Sequence, residues 1–221
     1  MPTPPKNLPL FPESTCSTKI DPFFYEDLAQ RDGYTLTAGV DEAGRGPLAG
    51  PVVAGAVILP QGIELAGVTD SKKMSPVARE QAFSTIHHEA LATGLGVVSH
   101  RYIDKFNILR ASLEAMRRAI LALEPQPDYL LIDGIHPVPI SIPQRCLKKG
   151  DLISRSISAA SVLAKVYRDR IMRSHHERYP VYGFDQHKGY GTARHREAIR
   201  RYGPSPIHRI TFKGVSRNGD R

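Results

Sequence analysis

Cysteine is scarce: Cys16 and Cys146 are the only two in 221 residues, and they lie far apart in no metal-type spacing. This argues against a disulfide framework and suits a reducing cytosol. Long apolar runs are also missing. The longest, Val52 to Leu59, is too short to cross a bilayer. The N-terminus lacks a basic flank followed by an apolar stretch, so no secretory signal is expected and a cytoplasmic location is. Zinc-type histidine spacing is absent as well. His87, His88, His175, His176, His187, His195 and His208 are therefore read as surface or phosphate-contacting groups. No internal repeat is visible.

What is present is a hydrophobic content of 41%, enough for a sizeable core, and a formal charge of +8 that is unevenly spread. Residues 165–221 hold 14 Lys and Arg against 5 Asp and Glu, whereas residues 1–164 hold 16 against 17. A basic last quarter fits a polyanionic partner such as nucleic acid, although a solvated surface accounts for charge alone equally well.

Residues 1–33 carry six prolines and read as a poorly ordered extension, with a short helix around Phe24 to Gln30. From Thr35 onward strands and helices alternate. Thr35 to Val40 and Val52 to Leu59 read as strands joined by the loop DEAGRGPLAGP. Ser75-Pro76 starts a helix that continues to Leu91, and Leu95 to Ser99 is a third strand. Leu109, Leu113, Met116, Ile120 and Leu123 form an apolar stripe expected to face a core. Tyr129 to Ile132 is a short strand, and Ile140 to Leu147 an edge strand interrupted by Pro143. A long helix is expected from about Ser156 to Arg178 with Ile157, Ala160, Ala164, Tyr167 and Ile171 inward. A last helix spans Ala193 to Tyr202, between a Thr192 cap and the Gly203-Pro204 stop. This alternation predicts an α/β domain with a mixed sheet.

Four carboxylates stand at strand ends or loop–helix junctions: Asp41, Glu42, Asp133 and Asp151. If the strands carrying Asp41 and Asp133 are neighbours, all four acids converge at the carboxyl ends of the sheet. An adjacent acid pair is costly without a cation, and Mg²⁺ or Mn²⁺ takes oxygen ligands while leaving positions for phosphate. Two such ions hold the attacking water and the leaving oxygen of a phosphodiester in line. Taken singly, each acid is also explained as a cap or a surface group, Asp151 especially.

Six blocks in order carry a resemblance: GVDEAGRGPLAGPVVAGAVIL at 39–59, DSKKMS at 70–75, LLIDG at 130–134, KKGD at 148–151, SISAASVLAKVYRDR at 156–170 and HKGYGT at 187–192. Together they resemble bacterial ribonuclease HII, the type 2 ribonuclease H family, over residues 35–210. The resemblance implies a ribonuclease H-like fold over residues 34–210, with a mixed central sheet flanked by helices and a C-terminal helical part. Residues 211–221 would then be a basic tail. It further implies an endonuclease that cuts the RNA strand of RNA–DNA hybrids and nicks duplex DNA 5′ of a single embedded ribonucleotide, leaving 3′-OH and 5′-phosphate ends. By the same resemblance, Asp41, Glu42, Asp133 and Asp151 match the family's metal-binding catalytic acids, with two Mg²⁺ or Mn²⁺ ions during catalysis.

Gly44-Arg45-Gly46 matches the family loop whose backbone contacts the ribose 2′-OH and adjacent phosphates. Tyr190 looks like the family tyrosine that stacks on the sugar after the ribonucleotide, although a loop aromatic packed on the core fits it equally. The 2′-OH is the one group that marks a lone ribonucleotide, so it must be read at close range. Lys72 and Lys73 fit phosphate contacts. Ser158, Ser161 and Lys165 share one helix face and fit contacts to the DNA backbone, while tight packing explains the small residues equally. The C-terminal ITFKGVSRNGDR has no obvious clamp-binding motif, and a monomer is the simpler expectation. Two rival readings are a junction resolvase of the same superfamily and a non-catalytic nucleic-acid binder.

Overall fold

A computed structural model describes residues 21–63, 65 and 74–215. Lys72 and Lys73 therefore lie outside the described residues. One five-stranded mixed sheet, ordered β3-β2-β1-β4-β5, organises the chain. It consists of β1 (Thr37–Ala43), β2 (Val52–Ile58), β3 (Ala92–Val98), β4 (Tyr129–Asp133) and β5 (Gln144–Leu147). The first three strands are antiparallel neighbours, whereas β4 runs parallel to both β1 and β5. The α/β expectation with a mixed sheet holds. The parallel pairing of β1 with β4 meets the condition for bringing Asp41 and Asp133 together: Val40 faces Ile132, and the acids follow one residue later on each strand.

The helices are α1 (Phe24–Arg31), α2 (Pro76–Glu89), α3 (His100–Phe106), α4 (Ile108–Leu121), α5 (Arg155–Arg178), α6 (Phe184–His187) and α7 (Ala193–Tyr202). Among the described residues, no helix is long and apolar enough to cross a membrane. Period-two alternation divides the strands between two cores. Ala38, Val40, Ala54 and Ile132 pack under α4, while Val57 and Leu131 face the side covered by α5. By the same alternation Asp41 points toward α5 and Glu42 toward α4.

Several expectations change, among them two strand bounds: β3 begins at Ala92 rather than Leu95, and β5 starts only after Pro143, at Gln144. The strand carrying the acids runs on through Ala43, so Asp41 and Glu42 lie within β1, opposite Gly55 and Ala54, rather than in the loop after it. The buried face of α4 is Ala111, Ser112, Ala115, Met116, Ala119 and Ile120, with Leu109 and Leu113 at its half-buried edge. The cause is close approach: a Cβ on Gly96 of β3 would lie 2.0 Å from the Ala115 carbonyl oxygen, and only small residues pack at that distance. On α5, Tyr167 is exposed and Ile171 half-buried, and Arg168 and Met172 turn inward instead. Beyond Val166 the helix leaves the sheet and packs against the loop after β1, which offers carbonyls that a guanidinium satisfies.

Both ends of the domain are tied down. Within the proline-rich stretch, α1 docks through Glu26, whose Oε1 accepts from the Ser154 hydroxyl (2.7 Å), the Ser156 amide (2.9 Å) and the Ser156 hydroxyl (2.6 Å). At the other end, Ile207 and Val215 join a third apolar cluster with Leu48, Met172, Phe184 and Ile199.

His195 and His208 correct the surface reading of the histidines. They are 0% and 2% exposed, and their Nε2 atoms lie 3.0 Å apart. Apolar packing from α6 and α7 supplies the burial that the spacing of the histidines did not reveal. Burial pushes each down to about 4. Between pH 6.5 and 4 the unfolded chain therefore binds more protons than the folded one. The pair's contribution to stability is complete above about pH 6.5 and is lost as pH falls toward 4. Thermal melts from pH 7 to 4 should show a steeper fall in Tm for the wild type than for His208→Asn. This difference isolates the histidine pair from carboxylate titration common to both proteins, and parallel curves would contradict it.

Candidate active site

A cavity of about 520 Å³ opens at the carboxyl end of β1. Its lining includes Asp41, Glu42 and Asp133, the turn Gly44-Arg45-Gly46, Ser161, Lys165 and Arg168 of α5, and Tyr190. Three of the four acids and most of the expected recognition residues thus share one site. Asp151 does not line it. That residue is buried in a single 3-10 turn, Gly150–Leu152, one position after the amide that donates to Asp133 Oδ1 at 2.7 Å. Ser158 is likewise buried within α5, away from the cavity lining.

The acids are held by short local bonds. The Glu42 amide donates to Asp41 Oδ1 at 2.7 Å, the Ser161 hydroxyl is hydrogen-bonded to Asp41, and Arg45 Nη1 meets Glu42 Oε1 at 3.2 Å. Burial, then the neighbouring Glu42 and Asp133 charges, hold Asp41 well above the usual carboxylate range. Glu42 is also raised, mainly by burial, against the opposing pull of Arg45. Such a cluster crowds like charge, which Arg45 offsets in part.

Hard oxygen donors with this charge fit a divalent cation of the magnesium type. Among the described residues no three His, Cys, Asp or Glu side chains form a preformed cage. A site of this type needs none, because such ions take one or two carboxylates and complete their shell with water and substrate phosphate.

The turn is shaped from beneath by two arginines that the sequence reading did not single out. Arg168 and Arg209 are 1% and 0% exposed. Arg168 donates to the carbonyls of Pro51 (2.9 Å), Lys188 (3.0 Å) and Ala49 (3.1 Å). Arg209 donates to Gly44 (2.6 Å), Arg45 (2.9 Å), Gly50 (3.0 Å) and Pro51 (3.2 Å). Desolvation lowers them to about 10 and about 9, so both stay charged at neutral pH.

In a trans peptide the carbonyl and the following N–H point in opposite directions. With the Gly44 and Arg45 carbonyls drawn down to Arg209, the amides of Arg45 and Gly46 point away from it, toward the cavity. Gly44 has φ +101°, and a Cβ there would lie 2.1 Å from Arg168 Nε, so only glycine fits. Tyr190, 46% exposed, sets its ring beside the turn: a Cβ on Gly46 would lie 3.6 Å from its Cε1. Ser161, Lys165 and Arg168 follow spacings of 4 and 3, a signal that was available for Arg168. No periodic signal marks Arg209, which sits in an irregular segment. Arg79 is a further lining residue missed from sequence; it bonds the Met74 carbonyl at 3.1 Å and Asp169 at 3.4 Å.

The charge balance generates a test. Asp41→Asn removes like charge, so the variant should melt higher than the wild type without divalent metal. Saturating Mg²⁺ or Mn²⁺ should raise the wild-type Tm by several degrees, since about 2.7 kcal/mol accrues at a hundredfold excess over Kd. The shift should shrink sharply in Asp41→Asn. Equal metal-induced shifts in both proteins, read by differential scanning fluorimetry, would show that Asp41 takes no part in binding.

Comparison with known proteins agrees with this geometry. The family model described as Ribonuclease HII matches residues 38–215. Ribonuclease HII of Geobacter sulfurreducens is 58% identical over 191 residues, covering 86% of this chain and 88% of that protein. Among solved structures, ribonuclease H2 from Pyrococcus horikoshii OT3 superposes with a TM-score of 0.69 at 28% identity, covering 82% of this chain and 95% of that one. Ribonuclease HII from Archaeoglobus fulgidus, solved in a complex with PCNA, gives 0.70 at 26% identity over 81% and 96%. A match that spans the sheet, the acids, the turn and the C-terminal segment, at this identity over most of both proteins, puts the chain in the ribonuclease HII family: it is an endoribonuclease of the ribonuclease H type.

Proposed function

We propose that the protein hydrolyses the RNA strand of RNA–DNA hybrids and nicks duplex DNA on the 5′ side of a single embedded ribonucleotide, leaving 3′-OH and 5′-phosphate ends. One observation carries the reading: the acids Asp41, Glu42 and Asp133 and the amide-presenting turn at Gly44 to Gly46, with Tyr190 beside it, open into the same cavity. Catalytic and discriminating groups would then act on adjacent atoms of one substrate.

Asp41, Glu42 and Asp133 would hold Mg²⁺ or Mn²⁺, with Asp151 as a fourth acid behind Asp133. Ions bound there would supply an activated water and a counter-charge for the leaving 3′ oxygen. Ser161 and the Glu42 amide orient Asp41, and the Gly150 amide orients Asp133, so the carboxylates are fixed before substrate arrives. Lys165, ion-paired with Asp169 at 2.7 Å, and the buried Arg168 line the α5 side of the cavity and lend it positive charge for phosphate. The amides of Arg45 and Gly46 donate to the ribonucleotide's phosphate and 2′-OH, an interaction no deoxynucleotide completes. Tyr190 offers a flat face to the next sugar, and a deoxyribose lies against it without a hydroxyl in the way. Lys72 and Lys73 remain candidates for contacts to the duplex backbone, whereas the burial of Ser158 favours a packing role. No clamp contact is proposed for this chain.

A nicking assay with three duplexes tests the reading: one with a single ribonucleotide, an all-DNA control, and a four-way junction, each with Mg²⁺ or Mn²⁺. A single cut 5′ of the ribonucleotide is expected. Equal cutting of the all-DNA control would overturn it, and cutting of the junction alone would favour a resolvase. Asp133→Asn should lose at least a hundredfold in kcat while retaining duplex binding in gel shift.

A further inference from the structure

The segment before α7 that carries Tyr190 is fixed by a chain of neutral histidines that the reaction does not use. The donor at one end is fixed by chemistry. The Ser205 amide must donate, and it does so to His208 Nδ1 at 2.8 Å. That nitrogen is therefore the acceptor, which leaves the proton of the neutral ring on His208 Nε2. His208 Nε2 in turn donates to His195 Nε2 at 3.0 Å, which puts the His195 proton on Nδ1, 2.9 Å from the Tyr190 carbonyl. Each link is a single N–H pointing the same way, from residue 205 to residue 190. A second proton on either ring would oppose a neighbouring N–H. Both rings are accordingly pushed down to about 4 by burial, and the relay is complete at neutral pH.

The other groups of this segment are also committed. The Lys188 carbonyl accepts from Arg168 Nη1 at 3.0 Å, the Gly189 amide donates to His187 Nδ1 at 3.2 Å, and the Gly189 carbonyl accepts from the Leu48 amide at 2.8 Å. The His187 ring stacks on His195 with centroids 4.5 Å apart, and Phe184 meets His195 edge-on at 5.5 Å. Tyr190 itself is half exposed, so its ring has few neighbours to orient it. Its backbone does that work.

We infer that His195, set by His208 and Ser205, is a positioning residue for Tyr190 and so a determinant of junction discrimination. The inference rests on the reading of Tyr190 as the sugar platform. Loss of the His195 donor leaves the Tyr190 carbonyl on the Thr192 amide alone (2.8 Å), which loosens the peptide that aims the ring and shifts it on the sugar, while leaving the carboxylates untouched.

The experiment compares kcat/KM on a duplex with one ribonucleotide against a continuous RNA–DNA hybrid, for the wild type, His195→Phe, His195→Asn, Tyr190→Ala and the double variant His195→Phe/Tyr190→Ala. His195→Phe should lower the ratio about tenfold or more, a loss typical of misplaced substrate-positioning groups. His195→Asn, whose side-chain amide sits where Nδ1 sat, should recover most of it. In the Tyr190→Ala background, His195→Phe should lower the ratio no further. An equal loss on both substrates, or an undiminished effect in that background, overturns the inference. If Tyr190→Ala lowers the ratio and His195→Phe does not, the inference alone fails. If Tyr190→Ala leaves the ratio unchanged, the reading of Tyr190 fails and takes the inference with it.

Wild-type protein supplies a measurement free of folding effects. Nitrogen-15 NMR of the histidine rings at pH 7 should show His195 as the Nδ1–H tautomer and His208 as the Nε2–H tautomer. The opposite assignment, or a cationic ring, contradicts the relay.

Discussion

Two buried guanidiniums carry the geometry of the site. Arg168 comes from the long helix and Arg209 from an irregular segment near the C-terminus, and both spend their donors on backbone carbonyls of the turn that follows β1. Burying such charges is costly unless every donor is matched, and arginine's planar fork meets several carbonyls at once where lysine cannot. Because carbonyls and amides alternate in direction, pulling the carbonyls inward sends the amides of Arg45 and Gly46 toward the cavity. The turn depends on residues more than a hundred positions away, and a turn taken alone would not hold this shape.

The sheet makes the complementary arrangement for the acids. Parallel pairing of β1 and β4 brings Asp41 and Asp133 to the same edge, and pleating sends Asp41 toward α5 and Glu42 toward α4. Their mutual repulsion is a local cost to the fold. The raised Asp41 and Glu42 beside a floor of buried arginines put acids and cations on two sides of one cavity. The acidic side suits cations and the basic side suits phosphate, and a phosphodiester with its metals needs both. Like charge gathered at the acids is the kind of local cost common at functional sites.

Much of this was legible in the sequence for a physical reason. Acids at the end of an apolar strand stand out because nothing apolar explains them, and Gly44 to Gly46 stands out because glycine marks close backbone approach. The Ser75 and Thr192 caps and the Gly203 stop gave helix boundaries through local hydrogen bonding, which requires no tertiary information. What was not legible depends on long-range packing. Arg168 shares the helix face of Ser161 and Lys165, but nothing local in the charged run YRDR shows that its guanidinium is buried on the Ala49 and Pro51 carbonyls. Arg209 has no periodic neighbours at all. His195 and His208 pair across 13 residues, from a helix to an irregular segment, in no recognised spacing. The alanine face of α4 was hidden behind larger leucines because its glycine partners lie on a separate strand. For Asp151, the sequence named the acid but left its neighbourhood open; it lies buried beside the Gly150 turn rather than in the cavity lining.

The claim on which the others turn is that Arg209 aims the amides of Arg45 and Gly46 at the ribonucleotide. A crystal structure of Asp133→Asn with a duplex holding one ribonucleotide would measure it directly. Both amide nitrogens should lie within about 2.7–3.2 Å of phosphate or 2′-hydroxyl oxygens, with the Gly44 and Arg45 carbonyls still on Arg209. Amides turned away from the ribonucleotide, or carbonyls released from Arg209 in the complex, would contradict the account.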